Sequence, residues 1–266
     1  MAREDHGTDK SVLVIACTII LLAVSTVFMT QSIFLELSQT FKIDITKARF
    51  SFSAVSLSYC LSFFFLGPAA DKFDLPRMAL IGLLMLATTV YFSSLTANFS
   101  VFIVAMILIG FSAAVIPSAM FPHIAKTTPP HKIGIYMGSI VASATFGVIL
   151  GRVVMGVLTA MVGWQLSFKI VTTTILILAV ITYFYLVRGG DKQPKNEHKL
   201  SQLYLNSLRL LTNGKILSLL LVGFSLFIGF LGMVTFLTYR LIEPPFNFTS
   251  GEIGWISFAG ISALIA

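Results

Sequence analysis

Long apolar runs alternate with short polar segments along the whole chain. The range 11–34 has no charged residue and exceeds the roughly 20 residues that a helix needs to cross a lipid bilayer. It is too long for the apolar core of a signal peptide, so we interpret it as a retained first span. Similar runs predict six further spans, at residues 50–67, 78–96, 100–121, 133–160, 166–187 and 216–239. The pattern therefore predicts an all-α membrane protein, with Asp44 or Thr46 available to cap the second span.

The connections between the spans are short, and their charges predict the orientation of the chain. A loop as short as residues 67–78 makes its flanking helices antiparallel neighbours and lies just outside the lipid. With the N-terminus in the cytoplasm, twelve of the 18 Lys and Arg residues lie on the inner side. The outer side then carries four, namely Lys42, Lys47, Arg49 and Arg240. Because basic residues accumulate in cytoplasmic loops, we expect this orientation, in the cell (plasma or inner) membrane.

Composition supports the membrane class. Hydrophobic residues make up 56% of the chain and charged residues 11%, with a mean hydropathy of +0.92, whereas a soluble domain keeps about 25% of its residues charged. The net charge of +7 is scattered through short loops, so it indicates a lipid bilayer and not a nucleic acid as the partner. Cys17 and Cys60 lie inside apolar runs, where we expect packing roles and neither a disulfide nor a metal site.

The polar segment 188–215 divides the chain. Five apolar or aromatic residues in it recur at helical spacing, and Gly214 is placed to end such a helix: Leu200, Leu203, Tyr204, Leu208 and Leu211. We predict a six-span N-terminal bundle at residues 1–187, a cytoplasmic linker with an amphipathic helix at 188–215, and the start of a second bundle at 216–266. The last apolar run, 253–266, is about 21 Å long as a helix, shorter than the roughly 30 Å hydrocarbon core. We therefore expect one and a half spans after the linker, in a truncated chain.

The loop 67–78 carries a sequence motif, Gly-Pro-Ala-Ala-Asp-Lys followed by Pro and Arg. It resembles the loop between the second and third spans of major facilitator superfamily transporters. Four residues match or nearly match that motif: Gly67, Asp71, Lys72 and Arg77. Asp74 and Leu75 stand where the family usually has a Gly-Arg pair. The resemblance implies two six-span bundles and a cytoplasmic gating loop that latches them together when the carrier opens outward. In the alternative interpretation, the loop is an ordinary connector whose charges only fix the topology.

The fifth predicted span is rich in small residues, which let helix backbones approach closely. Gly147 and Gly151 are four residues apart, and Arg152 follows directly. This run, with Trp164-Gln-Leu-Ser-Phe168 opening the next span, resembles the antiporter branch of the superfamily, which implies efflux. Arg152 is the one charged residue deep within a predicted span. It could bind an anionic group of a substrate, or it could tie the two halves together. The neighbouring glycines favour the tie.

Gln31, near the outer end of the first span, is a second candidate for the substrate cavity, and a helix–helix hydrogen bond is its alternative role.

Two departures from the family concern ion coupling. Met106 stands where proton-coupled members have Arg, and no Asp or Glu lies inside the seven predicted spans, Glu36 being the nearest. A carrier driven by protons needs a group whose proton affinity changes between two states. The sequence therefore leaves the coupling ion open.

Three functions remain compatible with a multi-span protein. We favour a monomeric secondary active transporter that moves a small molecule by alternating access, without a cofactor or metal. A seven-span receptor conflicts with a cytoplasmic N-terminus, and a retinal protein would need a lysine in the middle of span seven. An intramembrane enzyme would need convergent His, Asp, Glu or Cys side chains within the bilayer, and the four histidines lie outside the predicted spans. An inactive transporter fragment is a further alternative.

Overall fold

A computed structural model describes residues 10–70, 72–188, 204–205, 209–210, 212–242 and 245–246 of the chain. Within those ranges every regular element is helical, which confirms the predicted all-α membrane fold. The elements are α1 (Lys10–Phe28), a 3₁₀ turn (Met29–Ser32), α2 (Phe34–Phe41), α3 (Ile45–Ala70), α4 (Leu75–Leu95), α5 (Phe99–Thr127), α6 (Ile133–Val162), α7 (Trp164–Thr182) with a π-helical end (Tyr183–Val187), and α8 (Gly214–Ile242).

Six helical segments are long and apolar enough to cross a membrane, and they correspond to the six spans predicted before the linker. They are Lys10–Ser32, Ile45–Pro68, Leu75–Leu95, Phe99–Thr127, Ile133–Val162 and Trp164–Val187. The chain forms two compact units, Met1–Lys195 and Asn196–Ala266. Helix α8 of the second unit includes the range predicted as span seven. The predicted run 253–266 and most of the predicted amphipathic helix lie outside the described residues.

The first span ends earlier than the apolar pattern predicts. A 3₁₀ turn interrupts the helix after α1, and α2 follows as a separate short helix. In the turn, Ser32 Oγ donates a hydrogen bond to the carbonyl of Met29 at 3.2 Å, and the N–H of Ile33 donates to the carbonyl of Thr30 at 3.2 Å. Hydroxyl side chains compete in this way with the regular helical ladder. The apolar pattern does not show the break because the flanking residues remain hydrophobic.

Helix α3 begins at one of the two caps that the sequence offered. Asp44 Oδ1 accepts a hydrogen bond from the N–H of Thr46 at 2.6 Å, so Asp44 is the capping residue. Hydrogen bonds from the side chain and the backbone of Thr46 lower the pKa of the Asp44 carboxyl from its ordinary value of 3.8. The cap places the start of α3 at Ile45, ahead of the predicted start of the span.

Helix α5 is the central helix of the first unit and packs against α1, α3 and α4. A Cβ atom on Gly110 would overlap the carbonyl oxygen of Val55 and lie 2.9 Å from Ser58 Cβ, so glycine lets α3 approach. A Cβ on Gly82 of α4 would likewise lie 2.9 Å from Val115 Cβ. Helices α3 and α4 therefore make their main contacts with α5. The contact between α3 and α4 themselves is weaker than the short loop between them predicts.

Burial differs strongly among the six spans. In their most apolar stretches, 56% of the residues are buried in the segments of α1 and α5, compared with 17% in that of α3 and 22% in that of α6. Both α3 and α6 contact α1. Helix α1 is therefore flanked on two sides by helices that keep most of their surface exposed. We call this side of the first unit the open face.

An aromatic cluster packs three helices together at one end of the first unit. Its five rings have neighbouring centroids 5.3 to 6.5 Å apart and are those of Phe41, Phe99, Phe102, Trp164 and Phe168. Trp164 Nε1 also donates a hydrogen bond to Thr40 Oγ1 at 2.9 Å. The cluster joins α2, α5 and α7, so the described contacts of Trp164 and Phe168 are packing contacts.

Candidate functional site

Helices α1 and α6 form a tight seam that runs toward the open face. Ser25 Oγ of α1 donates hydrogen bonds to the carbonyls of Leu21, at 2.8 Å, and of Gly147 in α6, at 3.0 Å. A Cβ on Gly147 would lie 2.5 Å from the oxygen of Leu21, and one on Gly151 would lie 2.8 Å from Ser25 Cα. The two glycines that the sequence singled out therefore bring α6 onto α1 within the first unit. Their predicted role between the two halves stays a prediction.

The part of the same seam near the N-terminus of α6 is open. Nothing lies within 4 Å of a Cβ built on Gly134 or Gly138. A groove of about 360 Å³ lies beside them, with Cys17 and Leu21 of α1 and Ser143 of α6 among its lining residues. In this unit, the glycines of α6 that pack closely against α1 are therefore Gly147 and Gly151, in the C-terminal half of the helix.

Arg152 lies directly beyond the tight crossing, and it is half-buried. Its Cζ is 5.5 Å from the centroid of the Phe28 ring, the distance of a cation–π contact. The Phe28 ring is in turn 5.5 Å from the ring of Phe52 on α3. Arg152, Phe28 and Phe52 therefore form one row across α6, α1 and α3 on the open face. We call it the cation–aromatic row.

The guanidinium of Arg152 is under-satisfied. Its Nε atom is buried and has no hydrogen-bond partner. Asp74 forms an ion pair with Arg77, and no carboxylate among the described residues forms an ion pair with Arg152. An arginine side chain stays charged at any physiological pH. The row therefore contains a positive charge that contacts the Phe28 ring, and the Nε–H donor of this guanidinium has no acceptor.

Further polar atoms without partners occur in the 3₁₀ turn, α2 and the C-terminal part of α6. The hydroxyl oxygens of Thr30, which is fully buried, and of Thr159, which is 6% exposed, have no hydrogen-bond partner. One carboxylate oxygen of Glu36 is also buried and unpaired. Because buried polar atoms in proteins are nearly always hydrogen-bonded, each of these atoms has room in its hydrogen bonding for a further partner such as water.

The predicted cavity residues Gln31 and Arg152 lie on neighbouring elements, but they share no hydrogen bond within the described part of the chain. Gln31 is half-buried in the 3₁₀ turn, three residues after Phe28. The sequence analysis did not identify Phe28 and Phe52. The only signal for Phe28 was its position well inside a predicted span, and other aromatic residues occupy similar positions, so this signal is not specific.

The predicted gating loop is described in part. Gly67 is exposed in the last turn of α3, Lys72 lies in the turn that follows, and Asp71 is outside the described residues. Asp74 caps α4 by accepting a hydrogen bond from the N–H of Arg77 at 3.2 Å. Its other oxygen lies 3.8 Å from Arg77 Nε, and the Arg77 side chain is 55% exposed. Asp74, which departs from the family motif, is therefore a helix cap.

No cluster of three or more His, Cys, Asp or Glu residues suited to a metal ion occurs among the described residues. Cys17 is half-buried and Cys60 is exposed, and both thiols are free. The chemistry that the described site offers is binding, through one cation, aromatic rings and hydroxyl groups.

Similar proteins are transporters. The family model described as Major Facilitator Superfamily matches residues 14–266. An uncharacterized transporter of Escherichia coli O157:H7, YgaY, is 25% identical over 257 residues, covering 96% of this chain and 64% of its own. An uncharacterized MFS-type transporter of Bacillus subtilis (strain 168), YybF, is 24% identical over 231 residues, covering 86% and 56%. The inner membrane transport protein YnfM of Escherichia coli (strain K12) is 22% identical over 233 residues, covering 87% and 55%.

The chain spans 64% of the length of the first of these relatives. The family match extends over most of the chain, from within the first span to the last residue. Together with the six apolar helices of the first unit, it shows that this multi-pass membrane protein belongs to the major facilitator superfamily.

Proposed function

We propose that the protein is a secondary active transporter that moves a small molecule across the membrane by alternating access, in the direction of efflux. The observation that carries the proposal is the cation–aromatic row, because a half-buried guanidinium without a partner lies on the least covered side of a six-span bundle. A carrier needs a polar binding position that can open to either side of the membrane. The names of the relatives, which are transporters, support the same class.

The proposed architecture consists of two bundles and a linker. Residues 1–187 form the first bundle, residues 188–215 the cytoplasmic linker, and residues 216–266 begin the second bundle. In this proposal the N-terminus lies in the cytoplasm, the protein works as a monomer in the inner or plasma membrane, and Gly147, Gly151 and Arg152 lie near the interface between the halves. Within the first unit, the segments of α3 and α6 are the least buried, at 17% and 22% of the residues in their most apolar stretches.

The loop between α3 and α4 is proposed as the gating loop. Gly67, Asp71, Lys72 and Arg77 would hold the cytoplasmic side closed when the carrier opens outward. The exposure of Arg77, whose side chain is 55% accessible, supports a role in contacts beyond its weak ion pair with Asp74.

Transport itself is tested in inside-out vesicles that contain the intact protein. An exporter should accumulate at least some members of a panel of neutral, cationic and anionic dyes inside such energised vesicles, above the level in vesicles without the protein. No accumulation of any dye class would contradict a transport function of this kind.

Alternating access is tested by cysteine labelling in a background with Cys17→Ser and Cys60→Ser. A membrane-impermeant maleimide should label the Phe28→Cys variant in both right-side-out and inside-out vesicles, because the row is exposed to each side in turn. The control Gly67→Cys should be labelled in inside-out vesicles only. Labelling of Phe28→Cys from one side alone would rule out alternating access, and labelling of Gly67→Cys from outside would reverse the proposed orientation.

A further inference from the structure

The charge of the cation–aromatic row is unbalanced within its own bundle. Arg152 makes one described interaction, with the ring of Phe28, and its buried Nε has no partner. The sequence places no Asp or Glu inside any of the predicted spans. Burying an unpaired charge is costly, and such groups in proteins are normally paired with an opposite charge. The partner of Arg152 must therefore come from outside the spans of the first unit.

We infer that this partner is the substrate, and that the transported molecule is an organic anion with an apolar body. The inference rests on the proposed transport function and adds the substrate class to it. The anionic group, a carboxylate or sulfonate, would bind the guanidinium, which offers paired N–H donors that match planar oxyanions. Arg152 is thus a binding residue of the carrier.

Two hydroxyl groups without partners lie further along the neighbouring segments. Thr159 lies seven residues after Arg152, about 10 Å further along the axis of α6, and its hydroxyl is buried without a partner. Thr30 lies two residues after Phe28, is fully buried, and its hydroxyl also lacks a partner. At that distance Thr159 cannot share one anionic group with Arg152, so the guanidinium is the donor proposed for the oxyanion. The carboxylate of Glu36 lies eight residues beyond Phe28, so the anionic group belongs at the Arg152 end of the seam.

The aromatic part of the row suits the apolar body of such a molecule. Phe28 and Phe52 are both half-buried, and their rings are tilted by 49° with centroids 5.5 Å apart. They lie on different helices, so an apolar group placed beside the guanidinium meets rings from α1 and α3 together. Aromatic side chains contribute much of the apolar contact in ligand sites. A small inorganic anion would leave these rings unused.

The test compares pairs of probes that differ only in charge. Equilibrium binding of radiolabelled benzoate, naphthoate and decanoate to the purified intact protein is measured beside binding of the corresponding amides. At least one of the three anions should bind, and its amide should bind about tenfold more weakly or worse, since the charged hydrogen bond to Arg152 is lost. Equal binding of acid and amide, or no binding of any of the three anions, would overturn the inference.

Variants locate the binding to Arg152. Arg152→Gln should weaken binding of the anion about tenfold or more, and Arg152→Lys should restore part of it because the charge remains. Lys169→Gln, which removes the other charge of this sign from a predicted span, should leave binding unchanged. Phe28→Leu keeps an apolar side chain, of smaller volume, but removes the ring, and it should weaken naphthoate more than decanoate. Thermal unfolding of each variant controls for folding.

The outcomes separate substrate class from transport function. Suppose that Arg152→Gln unfolds, whereas Arg152→Lys folds but binds the anion no better than its amide. Arg152 is then a structural tie between helices, and the inference fails. If inside-out vesicles accumulate neutral or cationic dyes but no anionic ones, with the Arg152→Gln variant unaffected, the protein is a transporter of another substrate class. Absence of all transport would instead refute the proposed function.

Discussion

The absence of a side chain at residues 147 and 151 decides where α1 and α6 meet. Even one carbon atom on Gly151 would overlap the Ser25 carbonyl, whereas Gly138 on the same helix has open space around it. The close approach also aligns the two helices so that Arg152 reaches the Phe28 ring at 5.5 Å. The position of the candidate site therefore depends on glycines that do not belong to it.

The first prediction concerns Gly151. Replacing it with alanine should destabilise the first unit by about 1–3 kcal/mol, because the added methyl group must push the α1 backbone away. The matched control is Gly138→Ala, which has room for the methyl group and should be neutral or stabilise by about 0.5–1 kcal/mol through better helix propensity.

Thermal unfolding of the purified variants in detergent measures both effects. A lower unfolding midpoint for Gly151→Ala and an unchanged or higher one for Gly138→Ala is expected. Equal midpoints for the two variants would mean that α6 does not depend on contact with Ser25.

At the scale of elements, the start of α3 depends on a single carboxylate outside the membrane. Hydrogen bonds from Thr46 lower the pKa of Asp44 below its ordinary value of 3.8. A carboxyl with a lowered pKa in the folded state stabilises the fold above its ordinary pKa, and this contribution disappears as the pH falls through the lowered value. The cap should therefore be present at neutral pH and lost in strong acid.

Hydrogen exchange of peptides that cover residues 44–50 tests this cap. As the pH is lowered below 3.8, the ordinary pKa of Asp44, protection of the first turn of α3 should fall in the unmodified protein. Asp44→Asn still caps a helix but cannot titrate, so it should show no such fall at the same pH values. Parallel loss of protection in both proteins would assign the change to general acid unfolding.

The sequence predicts an element correctly where the residues that determine it are close together in the chain. The charge-free run before Glu36 predicts a span, and Asp44 predicts a cap, because both depend on local contacts. The interruption at residues 29–32 depends on hydroxyl groups competing with the backbone, which an apolar pattern hides. Arg152 stood out as a charge in an apolar run, whereas Phe28 and Phe52 join it only through the alignment of three helices. That alignment depends on packing between distant segments.

At the scale of the whole molecule, the proposed alternating access requires one side of the protein to stay closed while the other is open. The loop between α3 and α4 contains two aspartates, Asp71 and Asp74. Asp74 is accounted for locally, since it caps α4 and lies 3.8 Å from Arg77 Nε. Asp71 lies outside the described residues, and its match to the family motif is the basis of its proposed latch role. The two residues therefore form a natural comparison.

In the intact protein, Asp71→Asn should reduce transport about tenfold, the effect of losing one charged hydrogen bond, while membrane insertion stays normal. Asp74→Asn should retain transport, because asparagine also caps a helix and the ion pair it loses is exposed and weak. Transport into inside-out vesicles and the amount of protein in the membrane are measured for both. Unchanged transport by Asp71→Asn would mean that the loop is only a connector. Equal loss of transport in both variants would mean that the net charge of the loop matters and that Asp71 has no specific latch role.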